Sequence, residues 1–318
     1  MLICPEVAET RDVLSALDLP TGESVPVVRR SFHGEGGEGP RVVVVAGVRG
    51  DTPEGTRVAV GVARLLQPRL SRMRGRVDVI PCANPLAAHL GVRAVPGFDV
   101  DLSRRFPGRA DGHAPDAVAA ALIAAMEGAT QVIELRGAHP AFREEPQAHV
   151  RADQPEACER AASANVRVVW KRSPPASDSG TLMACVPGLI ALEGGVGNRL
   201  TEGVGIELVD GVLNVLVTLG VLPEDDLPYH WAAIQRAVVA DDSRVVRVRA
   251  GRAGLFLPSM APWAEVAPDE ILGEVVDPVS GDVRETVTAP TAGRLLALRE
   301  QPVVYPGTLV ARVVADPP

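Results

Sequence analysis

Val42 to Gly55 reads V-V-V-V-A-G-V-R-G-D-T-P-E-G. A β-branched run stops at a glycine-rich turn, and an apolar spacing of helical period begins at about Glu54. The pattern predicts a buried strand that delivers its C-terminal end to a loop, which is where open α/β sheets build their sites. The following helix is expected over Glu54 to Leu66, with Val58, Val62, Leu65 and Leu66 on one face.

Upstream of this stretch, the residues to about Pro40 read as a leader with short strands around E-S-V-P-V-V-R-R-S-F and the turn H-G-E-G-G-E-G-P. Downstream, strands are predicted at Arg76 to Pro81, Gln131 to Leu135, Val166 to Trp170 and Leu189 to Glu193. Helices are predicted at Asp116 to Met126, at Pro155 to Ala164, and from an N-cap at Thr201 to about Leu219. Between them, Cys82 to Ala114 is punctuated by Gly, Pro and Asp with little periodicity. A loop that long inside a compact domain is usually functional.

Alternating strands and helices imply an α/β fold, a mixed sheet with helices on both faces. The pattern changes near Asp241, after which short strands such as V-V-R-V-R-A and T-L-V-A-R-V-V are separated by Gly and Pro turns. An α/β domain over 1–240 and a small all-β barrel or sandwich over 241–318 are therefore expected, with the boundary between 235 and 244.

Across 318 residues, 46% hydrophobic and 23% charged content is ordinary for a globular protein. The net charge of −8 argues against a general nucleic-acid or anionic-membrane surface. Lys171 is the only lysine, and the arginine bias is read as compositional. Cys4, Cys82, Cys158 and Cys185 have no C-x-x-C spacing, so reduced thiols are expected. The first residues lack a basic segment followed by an apolar one, and no apolar run reaches the ~18 residues of a membrane span. A cytoplasmic location is expected.

Neither Gly34 to Pro40 nor the G-G-V-G-N after Glu193 has the spacing of a phosphate or dinucleotide loop. The C-terminal module carries no lysine to which a cofactor could be attached. No cofactor is expected.

Several segments, in order, resemble the succinylglutamate desuccinylase/aspartoacylase family of the zinc carboxypeptidase superfamily. They are G-V-R-G-D-T (Gly47 to Thr52), N-P-L-A (Asn84 to Ala87), D-L-S-R-R-F-P-G (Asp101 to Gly108), E-L-R (Glu134 to Arg136) and L-E-G-G (Leu192 to Gly195). Within the C-terminal module, G-L-F-L-P, L-G-E-V-V-D and T-A-P-T-A-G-R-L also match. The resemblance runs from about residue 25 to the end and implies a zinc-carboxypeptidase-like sheet with a C-terminal β domain near the site mouth.

In that family one Zn²⁺ is held by a His and a Glu of the first motif and a His after the later strand. Those positions are Arg49, Thr52 and Arg136 here. The resemblance further implies that Arg93 and Arg104 polarise the scissile carbonyl and hold a substrate carboxylate, and that Glu193 is the general acid/base. Ser103 stands where the family has Asn, and Asn84 belongs to the substrate-facing set.

Zinc needs imidazole, carboxylate or thiolate lone pairs. A guanidinium has none and stays protonated, so no metal is expected at Arg49, Thr52 and Arg136. The zinc shell would carry about +1, whereas two arginines and a threonine carry about +2. The lone histidines form no ligand spacing, and His139 is the one kept as a candidate.

The expected function is binding of a small anionic, carboxylated ligand by Arg49, Arg93, Arg104 and Arg136, with acyl or amide chemistry on Glu193. One alternative is a non-catalytic scaffold, acting with a protein partner or as a homo-oligomer, in which Asp51, Glu134 and Glu193 neutralise Arg49 and Arg136. Another is a hydrolase with a displaced metal at His139, Glu134 or Asp51.

Overall fold

The computed structural model describes residues 9–174, 176, 179–226 and 236–317. Cys4, His230 and the start of the expected domain boundary at residue 235 lie outside the described residues.

Two ten-residue strands, β1 (Glu9–Asp18) and β2 (Ser24–His33), form an antiparallel pair where only short strands are read from the sequence. Then come β3 (Arg41–Ala46), α1 (Pro53–Leu66), β4 (Arg76–Ile80), α2 (Pro85–Leu90), α3 (Ala114–Met126) and β5 (Gln131–Leu135). The chain continues with β6 (Phe142–Arg151), α4 (Pro155–Ala162), β7 (Val168–Arg172), α5 (Leu182–Cys185), β8 (Ile190–Val196) and α6 (Glu202–Thr218). The regular elements described from residue 236 onward are strands: β9 (Val238–Asp241), β10 (Val245–Arg249), β11 (Gly254–Pro258), β12 (Glu265–Val266) and β13 (Ile271–Val276) come first. They are followed by β14 (Val283–Thr288), β15 (Gly293–Arg299), β16 (Val303–Val304) and β17 (Leu309–Ala315).

The main sheet runs β1-β2-β4-β3-β5-β8-β6-β15-β17-β10. Its centre is parallel from β4 through β3 and β5 to β8, as β-α-β connections require. On β3, Val42 and Val44 point to the face covered by α1, α4 and α6, whereas Val43 and Val45 point to the face covered by α3 and α5. All four are fully buried. This two-sided burial explains why β3 reads as a continuous apolar run rather than an alternation. Each such side chain contributes about 1.5–3 kcal/mol on leaving water.

The longest strand absent from the sequence reading is β6. Its sequence, F-R-E-E-P-Q-A-H-V-R, is polar and contains Pro146, so it lacks a strand signature. It nevertheless sits deep in the sheet, antiparallel to β8 and parallel to β7. The register shifts between Glu144 and Gln147, the segment that holds the proline. At its other end β6 pairs with β15, Glu144 opposite Ala297, so the main sheet continues into the C-terminal strands. A second sheet, β14-β13-β11-β16, packs Phe256, Leu272 and Val275 into one apolar cluster with Val248, Leu295 and Val313 of the main sheet.

The turn after β3 is held by close backbone contact. A Cβ on Gly50 would meet the Ala87 carbonyl carbon at 2.2 Å and the Ala88 nitrogen at 2.5 Å, so only glycine lets the loop rest on α2. Thr201 occupies the N-cap of α6 as expected, but its hydroxyl makes no cap hydrogen bond and accepts from Val196 N at 3.0 Å. Its own N–H donates to Glu54 Oε2 at 2.6 Å instead, which ties the β8–α6 loop to α1.

Candidate functional site

The ends of β3 and β5, with β6, β7 and α5 beside them, enclose a cavity of about 280 Å³. Arg49, Ser103, Glu134, Arg136, His149 and Arg172 supply its polar wall, and Leu182 and Met183 of α5 an apolar one.

Arg49 hangs from the loop after β3. Its Nε donates to Ser103 Oγ at 3.4 Å, and among the described residues no carboxylate lies within 4.0 Å of it. Burial, then the positive charges of Arg136 and Arg93, push its pKa below the ordinary arginine value, against the pull of Glu134.

Arg136 leaves the end of β5, where its N–H bonds to Leu192 O at 2.8 Å. Its Nη2 donates to Glu134, and its Nη1 stands 4.0 Å from Glu193 Oε2. Burial disfavours its charge, but Glu134 and Glu193 outweigh burial and raise its pKa. Its Nε is buried with no acceptor among the described residues.

Glu193, on β8, lies behind this pair with its side chain 13% exposed. Burial alone would raise its pKa, but His149, Arg136 and Arg49 hold it well below the usual carboxylate range. His149 Nε2 is 2.9 Å from Glu193 Oε1, although its N–H is not aimed for a good hydrogen bond. Burial drives the His149 pKa down, with Glu193 opposing and Arg172 and Arg136 assisting.

Arg172 Nη1 lies 3.3 Å from His149 Nδ1. A guanidinium can only donate, so Nδ1 is the acceptor and Nε2 carries the proton. Arg172 is itself fixed by Asp242 Oδ1 at 3.0 Å and lies over the Trp170 ring at 4.3 Å.

The structure therefore brings together Arg49, Ser103, Arg136 and Glu193 of the expected set. Arg93 pairs with Asp101 at 2.7 Å, as part of a cluster in which Asp101 also accepts from Ser103 Oγ at 2.7 Å. It stands beside the cavity rather than in its wall. Arg104 is 74% exposed, reaches Asp101 only at 3.8 Å and does not line the cavity. Asn84 N-caps α2, accepting from Ala87 N at 3.3 Å, and faces a small apolar crevice elsewhere. Thr52 turns back to bond Arg49 O at 3.2 Å. Asp51 pairs with neither Arg49 nor Arg136, and its Oδ1 is buried without a partner among the described residues.

Sequence reasoning did not point to Glu144, His149 or Arg172. The first two lie on β6, which carries no strand pattern, and none belongs to a spaced motif. The charge tally from sequence also changes, since Glu134 neutralises Arg136 and leaves Arg49 as the uncompensated cation.

No family model matches the chain, and no curated protein matches it in sequence. Solved structures do. The product-bound ectoine utilization protein EutE from Ruegeria pomeroyi superposes with a TM-score of 0.79 at 21% identity, covering 97% of this chain and 95% of that one. A succinylglutamate desuccinylase/aspartoacylase from Rhodobacter sphaeroides gives 0.79 at 22% identity, covering 96% of each chain. A succinylglutamate desuccinylase from Silicibacter sp. TM1040 gives 0.80 at 20% identity, covering 98% and 97%. The fold is that of the succinylglutamate desuccinylase/aspartoacylase proteins.

On this desuccinylase/aspartoacylase fold, the three places that the resemblance assigns to zinc ligands hold Arg49, Thr52 and Arg136. Two guanidiniums and a hydroxyl that is already engaged do not fit Zn²⁺, which needs donor lone pairs. No group of three or more His, Cys, Asp or Glu side chains converges on a common point among the described residues. His139 ring Nδ1 accepts from Ala141 N at 3.2 Å, and the ring packs edge-on against Phe142. No helix among the described residues is long and apolar enough to cross a membrane.

Proposed function

We propose that the cavity binds a small carboxylated anion through Arg49, without a metal ion. The observation that carries this reading is a guanidinium in the wall of a cavity of about 280 Å³ with no carboxylate within 4.0 Å among the described residues. An uncompensated, partly desolvated cation is costly, and a ligand carboxylate would offset that cost with charge-assisted bonds of about 1.5–3 kcal/mol. The orphaned Arg136 Nε and the hydroxyl of Thr181 add donors, while Leu182 and Met183 suit an apolar body. The likeness to a product-bound protein of the same fold is consistent with a small-molecule ligand.

Chemistry on such a ligand would be acyl or amide transfer, with Glu193 as base and Arg49 and Arg136 polarising the carbonyl. General base catalysis supplies roughly 10²–10⁴, without the activated water a zinc ion would add. One observation favours a non-catalytic scaffold instead, namely the capture of Arg136 by Glu134.

Thermal-shift and calorimetric titrations with acetate, benzoate, N-acylated amino acids, dicarboxylates and phosphate test the reading. Stabilisation by carboxylates that is absent in Arg49→Met supports it, and no shift with any anion favours the scaffold. Stoichiometric zinc surviving dialysis of protein purified without added metal would overturn the metal-free claim.

A further inference from the structure

Behind the cavity, a second buried carboxylate stands against Glu193. Glu144 is only 2% exposed and belongs to β6, one strand over. Its Oε1 accepts from Arg312 Nη1 of β17 at 2.6 Å, and its Oε2 accepts from Gln147 Nε2 at 3.3 Å. Glu144 lies opposite Gly195 and Glu193 opposite Gln147, so the two glutamates are diagonal neighbours across the β6–β8 ladder. Two carboxylates so placed in a dry interior repel each other, which disfavours the charge of the one with fewer compensating groups.

We infer that Glu144 and Glu193 form a two-carboxyl, one-proton site, in which Glu144 stores the proton that Glu193 exchanges with the cavity. The surroundings divide the roles. Glu193 faces His149 Nε2, whose proton is placed there by Arg172, together with Arg136 and the more distant Arg49. All of these favour the carboxylate. Glu144 has one cation, Arg312, and otherwise faces the Gln147 amide and the charge of Glu193.

Burial, then the Glu193 charge, raises the Glu144 pKa to about 7 against the pull of Arg312. The Gln147 Oε1 beside the pair is buried and lacks a donor among the described residues, one that a carboxylic O–H can supply. The protons of such a pair belong to both groups, so the pair, rather than either glutamate, has the apparent midpoint.

The fixed charges add a consequence, which rests on the anion-binding reading. Arg49, Arg136, Arg172 and Arg312 face Glu134, Glu144, Glu193 and Asp242, four cations against four carboxyls. A monoanion entering this balanced set makes it negative and strengthens the hold of the pair on a proton. Anion uptake above neutral pH therefore brings one proton with it, and affinity falls up to about tenfold for each further pH unit.

The test is carboxyl ¹³C NMR of ligand-free protein labelled at glutamate, titrated from about pH 5 to pH 9 across the shifted range. One buried pair is expected to titrate near neutrality. Glu144→Gln, which keeps an acceptor for Arg312, is expected to abolish that titration. Arg312→Met, a second variant should the first not fold, is expected to move the midpoint upward. Absence of any carboxyl titrating in this range, or its persistence in Glu144→Gln, overturns the inference. Calorimetry with benzoate in two buffers of different ionisation enthalpy then reads proton uptake. Benzoate binding without a proton overturns the linkage, whereas an intact titration with no benzoate binding overturns the anion reading and leaves the proton pair standing.

Discussion

Replacing Arg49 by Met should separate the ligand role of this residue from any structural one, because the two readings predict opposite signs for stability. Met matches the length of the aliphatic stem and removes only the charged head. In the ligand-free protein that head has a single long contact, Ser103 Oγ at 3.4 Å, and no carboxylate within 4.0 Å among the described residues. Leaving a buried polar group poorly paired costs about 1–3 kcal/mol. Part of the Arg49 head reaches cavity water, so the discounted gain from its removal is about 1 kcal/mol. For a chain of this length that is a rise of about 1–2 °C in Tm.

The ligand side has the opposite sign. Loss of a charge-assisted bond of about 1.5–3 kcal/mol weakens carboxylate binding roughly 10- to 100-fold. Thermal denaturation and calorimetric titration with benzoate at low salt measure both quantities on one sample. Arg104→Met, at a side chain 74% exposed and outside the cavity, is the control and should change neither. Wild-type affinity in Arg49→Met, or a Tm lowered by several degrees, would refute the reasoning, the second by showing that the guanidinium is structurally satisfied after all.

Other expectations follow from buried charges and close contacts. Glu54 is 1% exposed and accepts from Arg57 at 3.0 Å and from Thr201 N at 2.6 Å, so Glu54→Ala should cost about 2–3 kcal/mol. That loss would appear as a lower urea midpoint with unchanged m. Asp78 is fully buried, and although burial would raise its pKa, Ser31, Arg76 and Arg41 outweigh it and lower the pKa. A depressed folded pKa means stability that is present above the unfolded value of about 3.9 and lost as pH falls through the folded one. Asp78→Asn should therefore flatten the acid limb of stability below about pH 4, as read by denaturation at stepped pH. Gly50→Ala forces a Cβ into the Ala87 carbonyl, so it should displace the Arg49 loop and weaken benzoate binding even where the protein stays folded.

Much of the architecture was legible because local chemistry and tertiary burial agree. β3 spans Arg41–Ala46 as its valines predict, and α1, β4 and β5 fall within a residue or two of their expected bounds. The loop carrying Arg49 was legible for the same reason, since glycines mark the places where backbone must touch backbone. β6 was illegible. Its polar residues and Pro146 carry no strand period, and its burial comes from neighbours distant in sequence.

The sequence by itself determined the parallel core, the places where loops leave it, and the arginines that stand where a metal-binding set would need lone pairs. Only the tertiary structure decided which of those arginines is free. Arg136 is taken by Glu134, Arg93 by Asp101 and Arg312 by Glu144, while Arg49 is left facing the cavity. Charge pairing acts over a few ångströms in space and ignores distance along the chain. The partners of Arg312 and of Glu193 therefore come from strands far from them in sequence.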